Sequence, residues 1–324
     1  MTIRRSYRFH SIRFNGPQFG GTTTLGGVSQ GTVSNNPEVV QDFVDGNPFP
    51  SLVTCRSFAQ EAVFTTMNVA RAIELIGMGV SCLEPGSSID LFYGQIGPCN
   101  ATFIPGAVHK QISMGSDTEI GGMVYFQNLN TDHRGDSQYS FMVLPQFDGV
   151  NNPITITNDV ALPAGPIDSR NRFTLGPLSV DNFEVIGKKA VNIESGISVE
   201  RDAADSSVYD EFFSLSQAAQ KVSVNGILDN WFDTAAEIGL NGRTATHVDS
   251  RFVLRKRLNG DESGFHPPAD NEHILITMAG KAVPVTVAEH SDTNKATQAF
   301  DIYGEHDGTN VPLVALTNQS YTPA

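Results

Sequence analysis

Short segments in which β-branched or aromatic residues alternate with polar ones recur along the whole chain. Five clear examples are Tyr7–Phe14, Ile154–Thr157, Arg172–Leu175, Val191–Val199 and Lys281–Val287. Alternation with a period of two places apolar side chains on one face, which is typical of half-buried β-strands. The 30 glycines and 17 prolines of the chain provide many turns between such strands. The pattern therefore predicts a mainly β protein.

Two further segments have apolar residues at helical spacing followed by glycine. They are Val69, Ile73 and Ile76 before Gly77, and Ile227, Trp231, Ala235 and Ile238 before Gly239. Glycine commonly ends a helix because it adopts positive φ without strain. Each predicted helix carries a single apolar stripe, so we expect it to pack flat against a sheet. Trp231 lies on such a stripe, which favours a core position over a ligand-stacking one.

A long internal repeat is the strongest feature of the sequence. Phe141–Ile154 aligns with Phe300–Leu313 at a spacing of 159 residues, and five of the fourteen aligned positions are identical. Ordinary residue usage would give about one identity. His109–Met114 aligns with His273–Met278 at a spacing of 164 residues, so insertions separate the matched segments. A repeat of this length indicates a duplicated domain rather than a short solenoid motif.

Other matches fix the limits of the repeat. Asp90 aligns with Asp249, again at a spacing of 159 residues. We therefore expect two tandem domains, residues 1–165 and 166–324, joined at Ala161–Asp168, where two prolines and a glycine interrupt regular structure. Each domain is predicted to be a β-sandwich or barrel with one flanking α-helix.

The charge of the chain limits its partners. A net charge of −14 argues against wrapping nucleic acid on a basic face. Basic residues nevertheless cluster in two places, Arg4, Arg5, Arg8 and Arg13 in an N-terminal arm and Arg255, Lys256 and Arg257 in the second half. The simplest interpretation is solvated charge on edges or loops. The alternative is that these residues contact an acidic neighbour in an assembly.

Cysteine usage and hydropathy indicate a protein made in a cytosol. Cys55, Cys82 and Cys99 all lie in the first half. An odd and asymmetric set is a poor disulfide framework, so we expect buried, reduced thiols. No apolar run approaches the roughly 20 residues of a membrane span. The basic N-terminal arm is not followed by the apolar segment of a secretory signal.

Candidate chemical sites are few. His109 and His273 occupy matching positions, but neither has a second His or Cys at metal-ligand spacing, which favours structural roles. Asp148–Gly149 and Asp307–Gly308 would suit an oxygen-rich cation loop, although Asp-Gly between two strands more simply forms a tight turn. Arg134–Asp136 matches a cell-adhesion tripeptide, as short segments often do by chance. We predict no catalytic residue, cofactor or metal, because no phosphate loop, dinucleotide fingerprint or nucleophile elbow occurs.

Duplication without a catalytic motif is typical of a structural protein that forms assemblies, because two copies of a domain in one chain let a ring form from half as many chains. In this respect the chain resembles the tail tube proteins of long-tailed bacteriophages. The unit of that family is a β-sandwich of about this size with one flanking helix, and some members carry two fused units. The resemblance covers nearly all 324 residues and rests on architecture and duplication, with Phe147–Pro153 and His306–Pro312 marking the repeat.

The resemblance implies a structural virion protein, not an enzyme, that self-assembles into stacked rings forming a hollow tube for the genome. It implies homo-oligomeric, trimeric rings with pseudo-sixfold symmetry, contacts with other tail proteins, a place in the virion tail and synthesis in the bacterial host cytoplasm. DNA would meet the protein only in transit, and an acidic lumen would repel its phosphates. The candidates for stacking between rings are residues 1–13 and Arg255–Asp270.

Other classes of function stay open at this point. One is a tandem β-sandwich that binds glycans or cell surfaces, or another virion component such as a decoration, tail-terminator or fibre protein. Glycan-binding modules usually expose aromatic platforms, and a single Trp with seven Tyr counts against that class. A hydrolytic enzyme on a β scaffold is a further alternative. It needs a cleft with convergent carboxylates or histidines, which spacing in a sequence does not identify.

Overall fold

A computed structural model describes most of the chain. The described residues are 6–43, 48–97, 102–116, 121–164, 171–181, 183–204, 207–227, 237–245, 250–258, 264–291 and 294–322. They form a mainly β structure with many antiparallel pairs, as the alternating pattern predicts. In these residues one complete α-helix, α1, spans Val69–Ile76, and a 3-10 turn spans Pro17–Phe19. Residues 237 and 238 are also helical.

The described strands fall into two consecutive sets of twelve, called here the first half and the second half. The first half contains β1 Ser6–Gly16, β2 Gly21–Leu25, β3 Val28–Ser34, β4 Pro37–Asp42, β5 Leu52–Phe58, β6 Glu61–Thr66, β7 Val80–Leu83, β8 Ser87–Ile96, β9 His109–Ser116, β10 Gly122–Asp132, β11 Gln138–Pro145 and β12 Ile154–Val160. The second half contains β13 Phe173–Val180, β14 Phe183–Glu184, β15 Ala190–Glu194, β16 Ile197–Asp202, β17 Phe212–Ala218, β18 Lys221–Ile227, β19 Arg243–Ala245, β20 Arg251–Lys256, β21 His273–Met278, β22 Gly280–Ser291, β23 Asn294–Gly304 and β24 Leu313–Gln319.

The two halves repeat one strand order. The first half has a five-stranded sheet β2-β1-β8-β9-β12, and the second half has β14-β13-β20-β21-β24. In a ten-stranded sheet the first half contributes β3-β6-β11-β10 with β7 beside β10, and the second contributes β15-β18-β23-β22 with β19 beside β22. The hairpins β4-β5 and β16-β17 also correspond. This order is consistent with tandem domains. The predicted boundary after residue 165 lies outside the described residues.

Local irregularities repeat as well. The register of β10 against β11 shifts between Phe126 and Asn128, and that of β22 against β23 shifts between Pro284 and Thr286. The hairpins also share a bulge, with the extra residue at Arg56 of β5 and at Ser216 of β17. Because a bulge changes which side chains face the core, shared bulges keep the two halves in register along these strands.

One predicted alignment is wrong by two residues. In the first half Asp90 pairs with Ser113, and in the second half Arg251 pairs with Thr277. Ser113 and Thr277 are the fifth residues of the matched strands β9 and β21. Arg251 is therefore the counterpart of Asp90, whereas the sequence alignment chose Asp249, which lies outside the described residues.

The two halves share one sheet and one core. Asn128–Asp132 of β10 pairs antiparallel with Ala190–Glu194 of β15. Most of the buried apolar residues of both halves form one continuous cluster between Ile12 and Leu313. Helix α1 of the first half contacts β10, β11 and also β24 of the second half. The halves are thus packed as one body, which their division in the sequence does not predict.

The first predicted helix is confirmed. Val69, Ile73 and Ile76 of α1 are buried, and Gly77 follows with φ of 77°. Most of the second predicted helix, including Trp231, lies outside the described residues at 228–236. At its ends, Ile227 is the last residue of β18 rather than helical, whereas Ile238 is buried and Gly239 has φ of 73°.

The prediction of a single strand over Val191–Val199 is wrong. β15 ends at Glu194 and β16 begins at Ile197. Gly196 between them has φ of 56°, and a Cβ there would lie 2.0 Å from the carbonyl oxygen of Ala219. The chain turns at this glycine, so the alternating pattern continues through a change of sheet.

The prediction of buried cysteines is also wrong for the two that the structure describes. Cys55 and Cys82 are unpaired and exposed. Cys55 lies on the exposed hairpin β4-β5, and Cys82 lies on the short strand β7. Cys99 lies outside the described residues.

Candidate assembly interface

The strand junction between the halves is an extended backbone contact. β7 and β15 share one edge of β10, with β15 along Asn128–Asp132. Two further bonds flank this ladder: Ser195 N donates to Gln127 O at 2.9 Å, and His133 N donates to Lys189 O at 3.0 Å. The same kind of backbone pairing that holds each half together therefore also joins the halves.

The ten-stranded sheet ends in the same two kinds of edge. β3, the counterpart of β15, is the last strand at one end. β22, the counterpart of β10, has β19 beside it only along Gly280–Ala282 at the other end. Within the described residues, the rest of that edge of β22 has no strand partner. The two ends of the ten-stranded sheet therefore carry the counterparts of the two edges that pair at its centre.

Strand direction makes these edges compatible. The path from β3 through β6, β11 and β10 to β15 has four steps, and each is antiparallel. An even number of reversals leaves β15 running in the same direction as β3. The second half thus follows the first head to tail, which is the geometry of a heterologous contact.

A second contact between the halves is a clasp formed by the hairpin β16-β17. Its apolar side chains cover a patch on β10 and β11 that faces away from the main core: Ile197, Val199 and Phe213 pack against Met123, Tyr125 and Leu144. Arg201 Nη2 donates to Glu61 Oε2 at 2.7 Å. Burial raises the pKa of the Tyr125 phenol. The clasp therefore combines apolar burial with a partly buried ion pair.

Aromatic rings extend the clasp. The ring of Tyr209 lies between Phe58 and Phe147 of the first half, at centroid distances of 5.5 and 5.3 Å. Phe58 N also donates to Val208 O at 2.7 Å, and Phe147 N donates to Asp210 O at 2.9 Å. The segment between β16 and β17 is thus fixed to the first half by rings and by backbone.

The basic residues of the N-terminal arm have different surroundings. Arg4 and Arg5 lie outside the described residues. Arg8 is exposed on β1. Arg13 forms an ion pair with Asp90 at 2.7 Å, and its guanidinium lies 4.7 Å from the centroid of Phe92. Arg13 is therefore engaged within the first half, while Arg8 is open to an external contact.

The second basic cluster is engaged within the chain. Arg255 lies over the ring of Phe265 at 4.0 Å, and Lys256 Nζ pairs with Glu272. Arg257 Nε lies 3.3 Å from Asp136 of the first half. Arg257 thus meets an acidic neighbour in the same chain. That all three contact another chain stays a prediction, and part of the segment Arg255–Asp270 lies outside the described residues.

The Arg-Gly-Asp tripeptide belongs to the contact between the halves. Asp136 lies 3.6 Å from Arg172 in addition to its contact with Arg257. The carbonyl oxygen of Arg134 accepts a bond from Arg257 Nη2 at 2.5 Å. Asp136 and the carbonyl oxygen of Arg134 therefore contact arginines of the same chain.

The two matched histidines have structural roles. His109 is buried, and its Nδ1 accepts a bond from Gln95 N at 2.9 Å. His273 is buried as well, and its Nδ1 accepts from Lys256 N at 3.2 Å. Each imidazole holds the end of a neighbouring strand. Among the described residues no group of three or more His, Cys, Asp or Glu side chains is placed to hold a metal ion.

The two Asp-Gly segments form the same tight turn. Asp148 Oδ1 accepts bonds from the backbone amides of Val150 and Asn151, at 2.9 and 2.6 Å. Asp307 Oδ1 accepts from Thr309 and Asn310, at 2.8 and 2.6 Å. The following glycines have φ of 83° and 88°. The carboxylates are thus bonded to their own turns, which confirms the turn interpretation.

Comparison with known proteins gives no further assignment. No protein-family model matches the chain. No curated protein matches it either. In the part of the chain that the structure describes, no helix has the length and apolarity to cross a membrane.

Proposed function

We propose that this chain is a structural virion protein that assembles head to tail into rings, which stack into a hollow phage tail tube. The observation that carries the proposal is the repeated strand order, which leaves β3 and most of β22 without an outer strand partner among the described residues. An open edge pairs with another chain unless something blocks it. The intramolecular junction of β10 with β15 provides the pattern for that pairing.

Repetition of one heterologous contact gives a ring when the rotation closes. Because each chain supplies two similar units, three chains would form a ring with pseudo-sixfold symmetry. In such a ring β3 of each chain would lie beside β22 of the next. Closure therefore removes the two edges that a single chain leaves open.

Where the hairpin β16-β17 does not cover it, the face of the long sheet that points away from the main core carries more acidic than basic side chains. Its charged side chains include Asp132, Glu194, Lys221 and Asp301. Lys221 lies 3.9 Å from Glu194 and 3.7 Å from Asp301, so this cation is shared by two carboxylates, whereas Lys281 on the same face is exposed. With this face toward the lumen, DNA phosphates would be repelled and the genome would slide without adhering. The net charge of −14 supports the same proposal.

Negative-stain electron microscopy of the purified, concentrated protein tests the proposal. We expect rings or hollow tubes with six-fold-looking end views. Val287→Lys, at a residue 42% exposed on the open edge of β22, should abolish them because it places a charge where strands would join. Ile156→Lys is the matched control, at a residue 63% exposed on β12, and should leave them unchanged. Isolated particles of the wild-type chain at every concentration would contradict the proposal.

A further inference from the structure

The two hairpins have the same construction but different surroundings. β16-β17 follows β4-β5 at a spacing of 160 residues along both strands, with the bulge at the same place. Val199 and Phe213 of the second hairpin are half-buried on the first half of the chain. Their counterparts Val39 and Val53 are 48% and 55% exposed. The first hairpin thus has the shape of a clasp, but no described part of the chain lies beneath these two side chains.

The surface that a clasp covers is also present twice. Met123, Tyr125 and Leu144 lie under the second hairpin and are 6%, 7% and 0% exposed. The shared register of β10 with β22 and of β11 with β23 makes Lys281, Val283 and Tyr303 their counterparts. Tyr303 is 48% exposed, Lys281 is exposed and Val283 is half-buried. The receiving surface of the second half is therefore uncovered.

We propose that the hairpin β4-β5 of one chain lies over β22 and β23 of a second copy of this chain. The inference rests on the head-to-tail order of the proposed function and adds a second contact to it. Only Ser195 and Gly196 connect β15 to its hairpin, and only Asn35 and Asn36 connect β3 to its own. When β3 lies beside β22, so short a link places β4-β5 over β22 and β23, just as β16-β17 lies over β10 and β11.

The contact between chains differs in composition from the contact within one chain. Val53 takes the place of Phe213, so its apolar part is smaller. Gln41 and Lys221 take the places of Arg201 and Glu61, so the ion pair is absent from this pairing. A weaker clasp suits a contact that forms between chains during assembly rather than within each chain during folding.

Cysteine crosslinking tests the contact directly. In a background with Cys55, Cys82 and Cys99 replaced by serine, Val53→Cys together with Val283→Cys should give covalent multimers on oxidation. Thr54→Cys with Val283→Cys is the matched control, because adjacent strand residues point to opposite faces. The control should stay monomeric on a non-reducing gel. Equal crosslinking of both pairs, or none in the first, would overturn the inference.

A charge variant gives an independent readout. Val39→Asp with Val53→Asp should weaken self-association at least tenfold in sedimentation velocity, because it buries two carboxylates at the contact. Its unfolding midpoint in urea should equal that of the wild-type chain, because both side chains are exposed before assembly. Rings that form normally in this variant would overturn the hairpin contact and leave the proposed function intact. A wild-type chain that never associates would overturn both.

Discussion

Tyr139 and Gln298 occupy the same buried position of the matched strands β11 and β23, yet within the described ranges only the tyrosine side chain is hydrogen-bonded. The Tyr139 hydroxyl donates to the carbonyl oxygen of Gly77, where α1 ends. Gln298 is 1% exposed, and neither its side-chain oxygen nor its nitrogen has a partner among the described residues. A buried polar group without a partner costs about 1–3 kcal/mol. Among the described residues, the second half therefore has a buried amide without a partner where the first half has a bonded hydroxyl.

Replacing that group should stabilise the protein. We expect Gln298→Leu to raise the free energy of unfolding by about 1 kcal/mol, because the amide no longer has to be desolvated. Tyr139→Phe should lower it by about 1–2 kcal/mol, because the Gly77 carbonyl loses its donor. Urea unfolding of both variants gives the two values. A Gln298→Leu variant less stable than the wild type would mean that the amide is hydrogen-bonded in solution.

The ion pair of the clasp should contribute measurably to stability. Arg201 and Glu61 are 23% and 27% exposed at their side chains and lie 2.7 Å apart. In a double-mutant cycle of Arg201→Gln and Glu61→Gln we expect a coupling free energy of about 1 kcal/mol. Arg71 and Glu74, more exposed and also 2.7 Å apart, form the matched control pair.

The control cycle on the helix should give about 0.3–0.5 kcal/mol, as is usual for neighbouring charges on one helix face. Urea unfolding measures both couplings. A coupling in the clasp no larger than that of the control would show that the hairpin β16-β17 is held by its apolar and backbone contacts rather than by this ion pair.

The turn aspartates should be titrated at unusually low pH. Bonds from the backbone and side chain of Asn310 and from the backbone of Thr309 lower the pKa of Asp307 from 3.8 to about 2. Because the folded-state pKa is the lower one, the stabilisation is present above the ordinary pKa and is lost as pH falls from 3.8 toward 2. Asn310→Ala removes the side-chain bond and should raise the pKa of Asp307 in an NMR titration.

Asp148 offers the internal control for that titration. Bonds from Asn151 lower its pKa as well. Its titration should be the same in the wild type and in Asn310→Ala, because the two turns lie in different halves. An unchanged pKa of Asp307 in this variant would mean that the backbone amides alone hold the carboxylate.

The sequence predicts the local elements better than their partners. The alternating pattern identifies strands such as β1 and β22, and the spacing of Val69, Ile73 and Ile76 identifies α1. It fails at Gly196, because apolar alternation continues while the chain changes sheets. Strand pairing depends on residues far apart in sequence, so the β10–β15 junction carries no local signal.

The candidate assembly residues show the same limit. Charge clustering selects Arg255–Arg257, but Arg257 contacts Asp136, which lies more than one hundred residues earlier in the chain. Pro284 within β22 is typical of an edge strand, because proline has no N–H to donate to a neighbour. No residue of β3 distinguishes it from an interior strand. Val39 and Val53, which are exposed on the first hairpin, are in sequence typical of any ordinary strand. Only the comparison of the two halves reveals which contacts are left open.

Crosslinking of the two open edges tests the proposed ring most directly. Asn128 lies opposite Glu194 at the junction, and their counterparts are Thr286 and Ser34. The next pair along the ladder, Gln127 and Ser195, is hydrogen-bonded. Because bonded and non-bonded pairs alternate in an antiparallel ladder, Asn128 and Glu194 form a non-bonded pair, with Cα atoms about 4.5 Å apart. That distance suits a disulfide.

In the cysteine-free background, Ser34→Cys with Thr286→Cys should give a ladder of covalent multimers that ends in one closed species, and its mass counts the chains in the ring. The two positions lie at opposite ends of the ten-stranded sheet, so a bond within one chain is excluded by distance. Ser34→Cys alone should give at most dimers. Monomers alone from the double variant, at concentrations where the wild type associates, would contradict assembly by continuation of the sheet.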